Sequence, residues 1–143
     1  MRSCLVTFVT LSLVLGCGGG PSKLASVSGK VTLDSQPLAD ALVVFQPESA
    51  GPDGSAGSQG KTNANGEFTL RQVNSDRSGA LVGKHRVMIS AQQTRAGGGD
   101  KPRSEEQEKS VDRVPAKYNA NTTLTFDVPA GGSNAANFDL KSK

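Results

Sequence analysis

The sequence contains few of the residues on which small secreted folds and enzyme sites commonly depend. Among its 143 residues there are two cysteines, one histidine and no tryptophan, and aromatic residues make up 4%. Two cysteines cannot supply the disulfide framework of a small secreted scaffold. One histidine excludes metal centres that need several. The longest apolar run, Leu5 to Leu15, is shorter than the about 20 residues of a membrane-spanning helix.

The amino-terminal segment has the three parts of a secretory signal: the basic Arg2, an apolar run, and a small residue, Gly16, after it. Val14-Leu15-Gly16-Cys17 resembles the lipobox of bacterial lipoproteins. The resemblance implies a diacylglyceryl group on the Cys17 sulfur and cleavage after Gly16, so that residues 1–16 are a signal peptide. A further acyl chain on the new amino terminus is the next step of this processing, and two chains are enough for stable anchoring. The alternative is an ordinary secretory signal that ends in cysteine.

Cleavage at this point leaves one lipidated cysteine, because Cys4 is lost with the signal. No disulfide can then form within the mature chain, and packing alone must hold the fold, which about 115 residues can achieve. Residues 17–26 are expected to be a flexible lipidated tether, and residues 27–143 one domain. The expected location is extracytoplasmic. Gly18 follows the cysteine, and the absence of aspartate there favours the outer membrane over the inner, by resemblance to known lipoprotein sorting.

The charges are mixed and scattered, with 16 basic and 13 acidic residues and a formal net charge of +3. Nucleic-acid-binding proteins concentrate basic residues in a stripe, which this sequence lacks, so nucleic acid is not an expected partner. The expected partners are the membrane, through the lipid, and a protein or glycan of the cell envelope.

Beyond the tether, apolar residues alternate with polar ones in short segments separated by turn residues. Ala41 to Phe45 is continuously apolar and predicts a strand buried on both faces. Lys61 to Leu70 predicts a hairpin that turns at Asn65-Gly66. About seven short strands and no amphipathic helix indicate an all-β sandwich or barrel. The residues predicted to face the core are Val27, Val31, Leu33, Phe68, Leu70, His85, Val87, Ile89, Ala91, Leu124, Phe126, Val128, Ala136, Phe138 and Leu140.

Gln92 to Val114 is long, polar and rich in charge, and it contains three consecutive glycines. Such a segment has little apolar surface to bury, so we expect a mobile loop. Two roles remain open for it: a partner-binding loop, or an insertion without a role.

Four segments carry a resemblance to a known family: VSGKVTLDSQPLADALVVFQPE, GKTNANGEFTL, GALVGKHRVMIS and VPAKYN. In order and spacing they resemble the carboxypeptidase regulatory-like domains, also called transthyretin-like, over Val27 to Leu140. The resemblance implies an antiparallel seven-strand β-sandwich of transthyretin-like or immunoglobulin-like type, and it implies no single activity. Family members often have tyrosine where this chain has His85, so the histidine is expected near the edge of the sandwich.

The residues that could carry chemistry have simpler structural explanations. His85 has no companion for catalysis or metal binding. Asn63, Asn65 and Glu67 alternate as oxygen ligands do in calcium loops, but the full loop pattern is absent and a tight turn accounts for them. The carboxylates of Glu105, Glu106 and Glu108 lie among basic residues in the predicted loop. We therefore expect no catalytic residue, no metal and no cofactor.

The sequence favours a non-enzymatic lipoprotein whose domain is a structural or binding module of the cell envelope. A carbohydrate-binding module is the first alternative, with Tyr118 as the only plausible exposed aromatic platform. A transthyretin-fold hydrolase is the second alternative. That family uses several histidines and a carboxy-terminal Tyr-Arg-Gly-Ser, whereas this chain has one histidine and ends in Phe138 to Lys143.

Overall fold

A computed structural model of the chain describes residues 23–49, 57–75, 77–93 and 111–143. Cys17, the signal and most of the tether lie outside the described residues, as do Glu105, Glu106 and Glu108. The described residues form thirteen strands and one turn of 3-10 helix at Ala116–Tyr118. The strands are β1 (Leu24–Ala25), β2 (Ser28–Leu33), β3 (Gln36–Pro37), β4 (Leu42–Pro47), β5 (Ser58–Lys61), β6 (Glu67–Thr69), β7 (Arg71–Gln72), β8 (Ala80–Leu81), β9 (Gly83–Ser90), β10 (Gln92–Gln93), β11 (Val111–Asp112), β12 (Thr125–Val128) and β13 (Phe138–Leu140).

Two sheets dominate the fold. The larger has the order β12-β9-β4-β5-β7, and all its neighbours are antiparallel. In the second, β2 lies between β13 on one side and the short strands β3 and β6 on the other. Only the β13–β2 pair is parallel among the paired strands of the described chain. The pairs β1–β8 and β10–β11 stand apart from these sheets. The prediction of an all-β architecture is confirmed.

Alternating side chains of the strands fill the core. In β9, His85, Val87 and Ile89 are buried, while Lys84 and Arg86 on the same strand are exposed. The predicted inward positions of the last strand are buried as well. Leu33, Leu124 and Phe126 are only partly buried and pack against the rim of the core. The largest fully buried side chains are Phe45, Leu38, Leu70, Ile89, Leu140, His85, Val27, Val31, Val43, Val87 and Val128.

Phe45 lies at the centre of the core and joins the two sheets. Its ring centroid is 6.5 Å from that of Phe68 and 6.1 Å from that of Phe138, both of which belong to strands of the second sheet. Within its own sheet it meets Phe126 edge-on at 5.6 Å and His85 at 5.8 Å. Edge-to-face and tilted ring pairs at these separations are favourable beyond the apolar area that they bury.

The prediction that Ala41 to Phe45 is buried on both faces is wrong. Leu42 is 40% exposed and Val44 is half-buried, while Val43 and Phe45 are fully buried. Strand β4 lies inside an antiparallel sheet, and only one face of that sheet is covered by a second layer. A continuous apolar run in the sequence cannot show whether one or both faces of its strand are covered.

The predicted hairpin over Lys61 to Leu70 keeps its tight turn, but β5 and β6 do not pair as neighbouring strands. Strand β5 pairs with β7 just outside this range, whereas β6, between them in sequence, crosses to the second sheet and pairs with β2. The tip is a tight turn in which the Asn63 amide donates to the Glu67 carbonyl at 2.8 Å. Gly66 has a φ of 77°, a conformation that glycine adopts without steric cost. Its amide donates to the Asn63 carbonyl at 2.9 Å.

Thr62 follows the last residue of β5 and stabilises the position at which the chain leaves the larger sheet. Its side chain is buried, and its hydroxyl donates to the Leu38 carbonyl at 2.6 Å. The same oxygen accepts the Ala41 amide at 2.8 Å. The Thr62 backbone amide also donates to the Ala41 carbonyl at 2.8 Å. One buried hydroxyl therefore satisfies two backbone groups of the turn that precedes β4.

The final strand is tied to the rest of the second sheet by polar contacts. The Thr32 hydroxyl donates to Asp139 Oδ1 at 2.8 Å, and Lys141 Nζ lies 3.0 Å from Asp139 Oδ2. The bond from Lys141, and then that from Thr32, lowers the pKa of Asp139. Ser142 donates to Asp34 Oδ1 at 3.1 Å, and hydrogen bonding from Ser142 lowers the pKa of Asp34. The carboxylates of Asp34 and Asp139 are exposed, so water screens these interactions.

The predicted loop over Gln92 to Val114 is ordered at both ends, and its residues 94–110 lie outside the described residues. Strands β10 and β11 pair with each other, and Val114 is buried. Asp112 Oδ1 accepts the amides of Ala91 and Val114, both at 2.9 Å, and Oδ2 accepts Asn119 Nδ2 at 2.9 Å. The predicted loop is therefore too long at both ends, because β10 pairs with β11 and the Asp112 carboxylate holds the chain at the end of β11. No helix in the described segments is long and apolar enough to cross a membrane.

We expect Phe45→Ala to lower the free energy of unfolding by about 3–5 kcal/mol, the usual cost of truncating a buried phenylalanine. Phe126→Ala should cost less, since Phe126 is only partly buried. Urea unfolding of both variants measures the difference. A loss for Phe126→Ala equal to or larger than that for Phe45→Ala would contradict the central place of Phe45.

We expect Thr62→Val to cost about 1–3 kcal/mol, because an isosteric side chain without a hydroxyl leaves two buried backbone groups without a partner. Thr62→Ser keeps the hydroxyl and is the matched control. Urea midpoints compare the two, and equal midpoints for the valine and serine variants would rule out the hydroxyl as the cause.

Candidate functional site: a polar groove on the second sheet

An open groove of about 680 Å³ lies on the outer side of the second sheet. Its floor is built by β2 and β6, and its two sides come from the turn after β5 and from the segment before β13. It is lined by Ser28, Gly29, Lys30, Lys61, Asn63, Glu67, Phe68, Thr69, Asn134 and Asn137.

The pairing of β2 with β6 fixes which side chains line the floor. Ser28 is opposite Thr69, and Lys30 is opposite Glu67. These four side chains point outward, because the pair between them, Gly29 and Phe68, points to the core. A Cβ atom on Gly29 would lie 2.0 Å from the Ala136 carbonyl oxygen. Only glycine therefore allows the segment before β13 to approach β2 so closely.

That close approach brings the side of the groove into contact with its floor. Asn137 Oδ1 accepts the Lys30 backbone amide at 3.0 Å, although 107 residues separate the two in sequence. The Ala136 amide donates to the Ser28 carbonyl at 3.2 Å. Asn134 lies beside them on the same side of the groove.

The opposite side is shaped by the turn between β5 and β6. Asn63 Oδ1 accepts the backbone amides of Asn65 and Glu67, both at 2.9 Å. Asn63 Nδ2 donates to Glu67 Oε2 at 3.0 Å, which holds the carboxylate at the rim. Lys61 Nζ lies 2.9 Å from Asp40 Oδ1, so its charge is already paired.

The groove thus combines one carboxylate, two amines and three side-chain amides, and most of these groups are exposed. It offers hydrogen-bond donors and acceptors to a polar ligand along the sheet surface. Its charges are balanced locally, because Lys30 faces Glu67 across the strands and Lys61 pairs with Asp40. Such a surface suits a neutral polar ligand better than a highly charged one.

The structure supports the turn explanation for Asn63, Asn65 and Glu67. The Asn63 side-chain oxygen is directed to two backbone amides of its own turn, which leaves its lone pairs engaged. Within the described segments, no group of three or more His, Cys, Asp or Glu side chains could hold a metal ion.

His85 lies in the core and away from the groove. The prediction that it lies near the edge of the sandwich is wrong, because it is 1% exposed and sits on β9, between β12 and β4. Its Nδ1–H donates to the Gly83 carbonyl at 2.8 Å, which fixes the tautomer. Burial lowers the pKa of His85, and the bond to Gly83 and the charge of Asp127 offset this only in part.

Tyr118 does not form an open aromatic platform. The ring is half-buried and packs against the core, and its hydroxyl accepts the Lys141 amide at 3.1 Å. Lys117 Nζ lies over the ring at 5.0 Å from its centroid, so one face is covered by a cation. The prediction that this ring is available to stack on a sugar is wrong.

Sequence reasoning missed the groove as a site. Lys30, Asn134 and Asn137 carry no motif, and they meet only because the last strand lies beside the first long one. The only sequence signal for the groove is the alternation of residues in β2, which places Ser28, Lys30 and Thr32 on an outward face.

Comparisons with known proteins find no matching family model, no matching curated protein and no matching solved structure.

We expect the free energy of unfolding to decrease as the pH falls below about 6.5, the pKa of an unperturbed histidine. In the unfolded chain His85 takes up a proton near that pH, whereas the folded chain binds it only at lower pH. His85→Gln should remove the part of the decrease that lies between about pH 7 and pH 5. The lowered pKa values of Asp34 and Asp139 act at more acidic pH, below this window. Urea unfolding across the range measures both chains, and an unchanged pH profile in the variant would contradict this assignment.

Proposed function

We propose that this protein is a membrane-anchored lipoprotein of the cell envelope whose domain is a non-enzymatic binding module. The observation that carries the binding role is the polar groove on the second sheet, built from segments far apart in sequence. The sequence Val14 to Cys17 supports the anchor, through its resemblance to a lipobox. On this proposal the anchored cysteine is Cys17, and the outer membrane is favoured over the inner.

The strand arrangement supports the further proposal of a transthyretin-like sandwich. If β6 and β7 are counted as one bent strand, the longer elements number seven, with β1, β3, β8, β10 and β11 as short additions. The parallel β13–β2 pair at the edge of the second sheet departs from the all-antiparallel arrangement that the resemblance implies. A resemblance of sequence segments and an all-β core around Phe45 favour the same fold.

Two observations favour a non-enzymatic role over a hydrolase. His85 is enclosed in the core and donates to a backbone carbonyl, so it is not presented to a ligand in the groove. The ionisable side chains Lys30 and Glu67 face each other at the exposed surface of an open groove rather than in an enclosed pocket.

A carbohydrate ligand is the second candidate, favoured by the chemistry of the groove. Asn63, Asn134, Asn137 and Glu67 provide amide and carboxylate groups of the kind that hydrogen-bond to hydroxyl groups. Phe68 lines the groove but is buried and cannot stack on a sugar ring. Binding of a glycan would therefore depend on hydrogen bonds and would be weak for a single sugar unit.

The anchor is tested by replacing Cys17. Cys17→Ser removes the sulfur that the lipid requires, so we expect loss of lipid labelling and accumulation of an unprocessed precursor of higher mass. Cys4→Ser is the matched control and should leave labelling and processing unchanged. Retention of label in the Cys17→Ser protein would refute the anchor.

The groove is tested by filling it. Asn134→Arg places a long side chain in the groove, and Asn121→Arg makes the same change at an exposed residue that does not line it. We expect the groove variant to lose at least ten-fold in binding to envelope glycans on an array, or to envelope components recovered by the lipidated protein. The Asn121 variant should bind as the parent does. Equal binding by both variants would show that the groove is not the site.

A further inference from the structure

The described chain begins at one end of the sandwich. The Lys23 carbonyl accepts the Val82 amide at 2.9 Å, and β1 then pairs with β8 through Leu24 and Ala25. The described chain therefore begins beside Val82. We call this end of the larger sheet, marked by Lys23, Val82 and Gly83, the tether end.

The opposite end of the larger sheet is set by the register of β9 with β4. Strand β9 runs from Gly83 at the tether end to Ser90, which is opposite Leu42. Seven residue steps at about 3.3 Å separate Gly83 from Ser90, so Leu42 lies about 23 Å from the tether end. We call the end marked by Leu42 and Ser90 the far end.

The length of chain before Lys23 limits how the domain can be oriented. Five residues, 18–22, lie between Cys17 and Lys23. Even fully extended, the six steps from Cys17 to Lys23 span at most about 20–22 Å. An inverted domain, with Leu42 at the membrane, would need Lys23 at about 23 Å or more above the surface. A lipid on Cys17 therefore favours the orientation with the tether end at the membrane over the inverted one.

The side chains at the tether end suit a lipid surface. Val82 is 38% exposed and is one of two exposed large hydrophobic residues in the described chain, the other being Leu42 at 40%. Lys23 and Lys84 lie beside it, with Glu48 3.6 Å from Lys84 and Asp127 opposite the same lysine. Two basic and two acidic groups balance at this end, so charge contributes to the orientation only where anionic lipids are present.

We propose that the tether end docks on the headgroups of a lipid membrane, with Val82 at the interface and the far end directed away from it. The inference rests on the proposed lipid anchor at Cys17. It also places the β10–β11 hairpin away from the membrane, because this hairpin follows Ser90, and Arg113 donates to the Ala91 carbonyl. The far end is then the part of the domain offered to other components of the envelope.

The two exposed hydrophobic residues make a matched pair for a depth measurement. The chain has no tryptophan, so Val82→Trp and Leu42→Trp each introduce a single fluorophore at a position of similar exposure. The chain from Cys17 onward contains every described element, and its single thiol can be coupled to a maleimide lipid in vesicles. Brominated phosphatidylcholine with phosphatidylglycerol then quenches a tryptophan that lies at the interface.

We expect quenching at Trp in place of Val82 to exceed that in place of Leu42 by at least three-fold. Equal quenching would mean that the domain lies on its side or rotates freely, and stronger quenching at the Leu42 position would mean that it is inverted. Either result overturns the proposal. Because the lipid is supplied chemically, neither result bears on native lipidation, which the labelling of Cys17→Ser tests separately.

A charge variant tests whether headgroups contribute. Lys23→Glu should reduce the quenching at the Val82 position in vesicles that contain phosphatidylglycerol. Arg113→Glu, near the far end, is the control and should leave it unchanged. Equal effects of the two substitutions would contradict docking through this end, and urea unfolding of each variant checks that the fold is kept.

Discussion

The packing of Phe45 against both sheets is the interaction on which the rest of the structure depends. With a single cysteine beyond the predicted signal, no disulfide links the layers, and the domain is small enough for one core cluster to decide its stability. Phe45 meets Phe68 and Phe138 of the second sheet and Phe126 of its own. These phenylalanines lie on strands that are far apart in the sequence. This long-range cluster joins β4, β6, β12 and β13 and fixes the separation of the layers.

The same packing creates the groove. Phe68 can reach Phe45 only if β6 leaves the hairpin and joins the second sheet, and Thr62 secures the point of departure with its buried hydroxyl. Once β6 lies beside β2, the residues next to Phe68 in sequence, Glu67 and Thr69, must point outward. The polar floor of the groove is therefore the outer surface of the strands that fill the core.

The alternation of apolar and polar residues within one strand correctly predicted which side chains of that strand are buried. The inward set of His85, Val87, Ile89 and Ala91 is buried, and so is that of Ala136, Phe138 and Leu140. Sequence patterns did not predict the features that depend on which strands become neighbours in a sheet. The run from Ala41 to Phe45 looks the same whether one or two faces are covered, and the hairpin pattern cannot show that one arm changes sheets. Nor does a local pattern connect Asn137 with Lys30 across 107 residues.

The proposed orientation constrains what can reach the groove. The groove opens on the outer face of the second sheet, and the normal to a sheet face is perpendicular to the strands of a packed sandwich. If the strands of the larger sheet stand away from the membrane, the groove opens sideways, in the plane of the envelope. Its floor at Ser28 to Lys30 begins only a few residues after the tether end. A ligand must then lie beside the protein and close to the membrane, as an extended polymer or a neighbouring protein of the same layer does. On the same proposal the far end and its β10–β11 pair face a different set of molecules, farther from the lipid. One small domain would then offer two separate surfaces, and the length of the tether would determine which molecules each can meet.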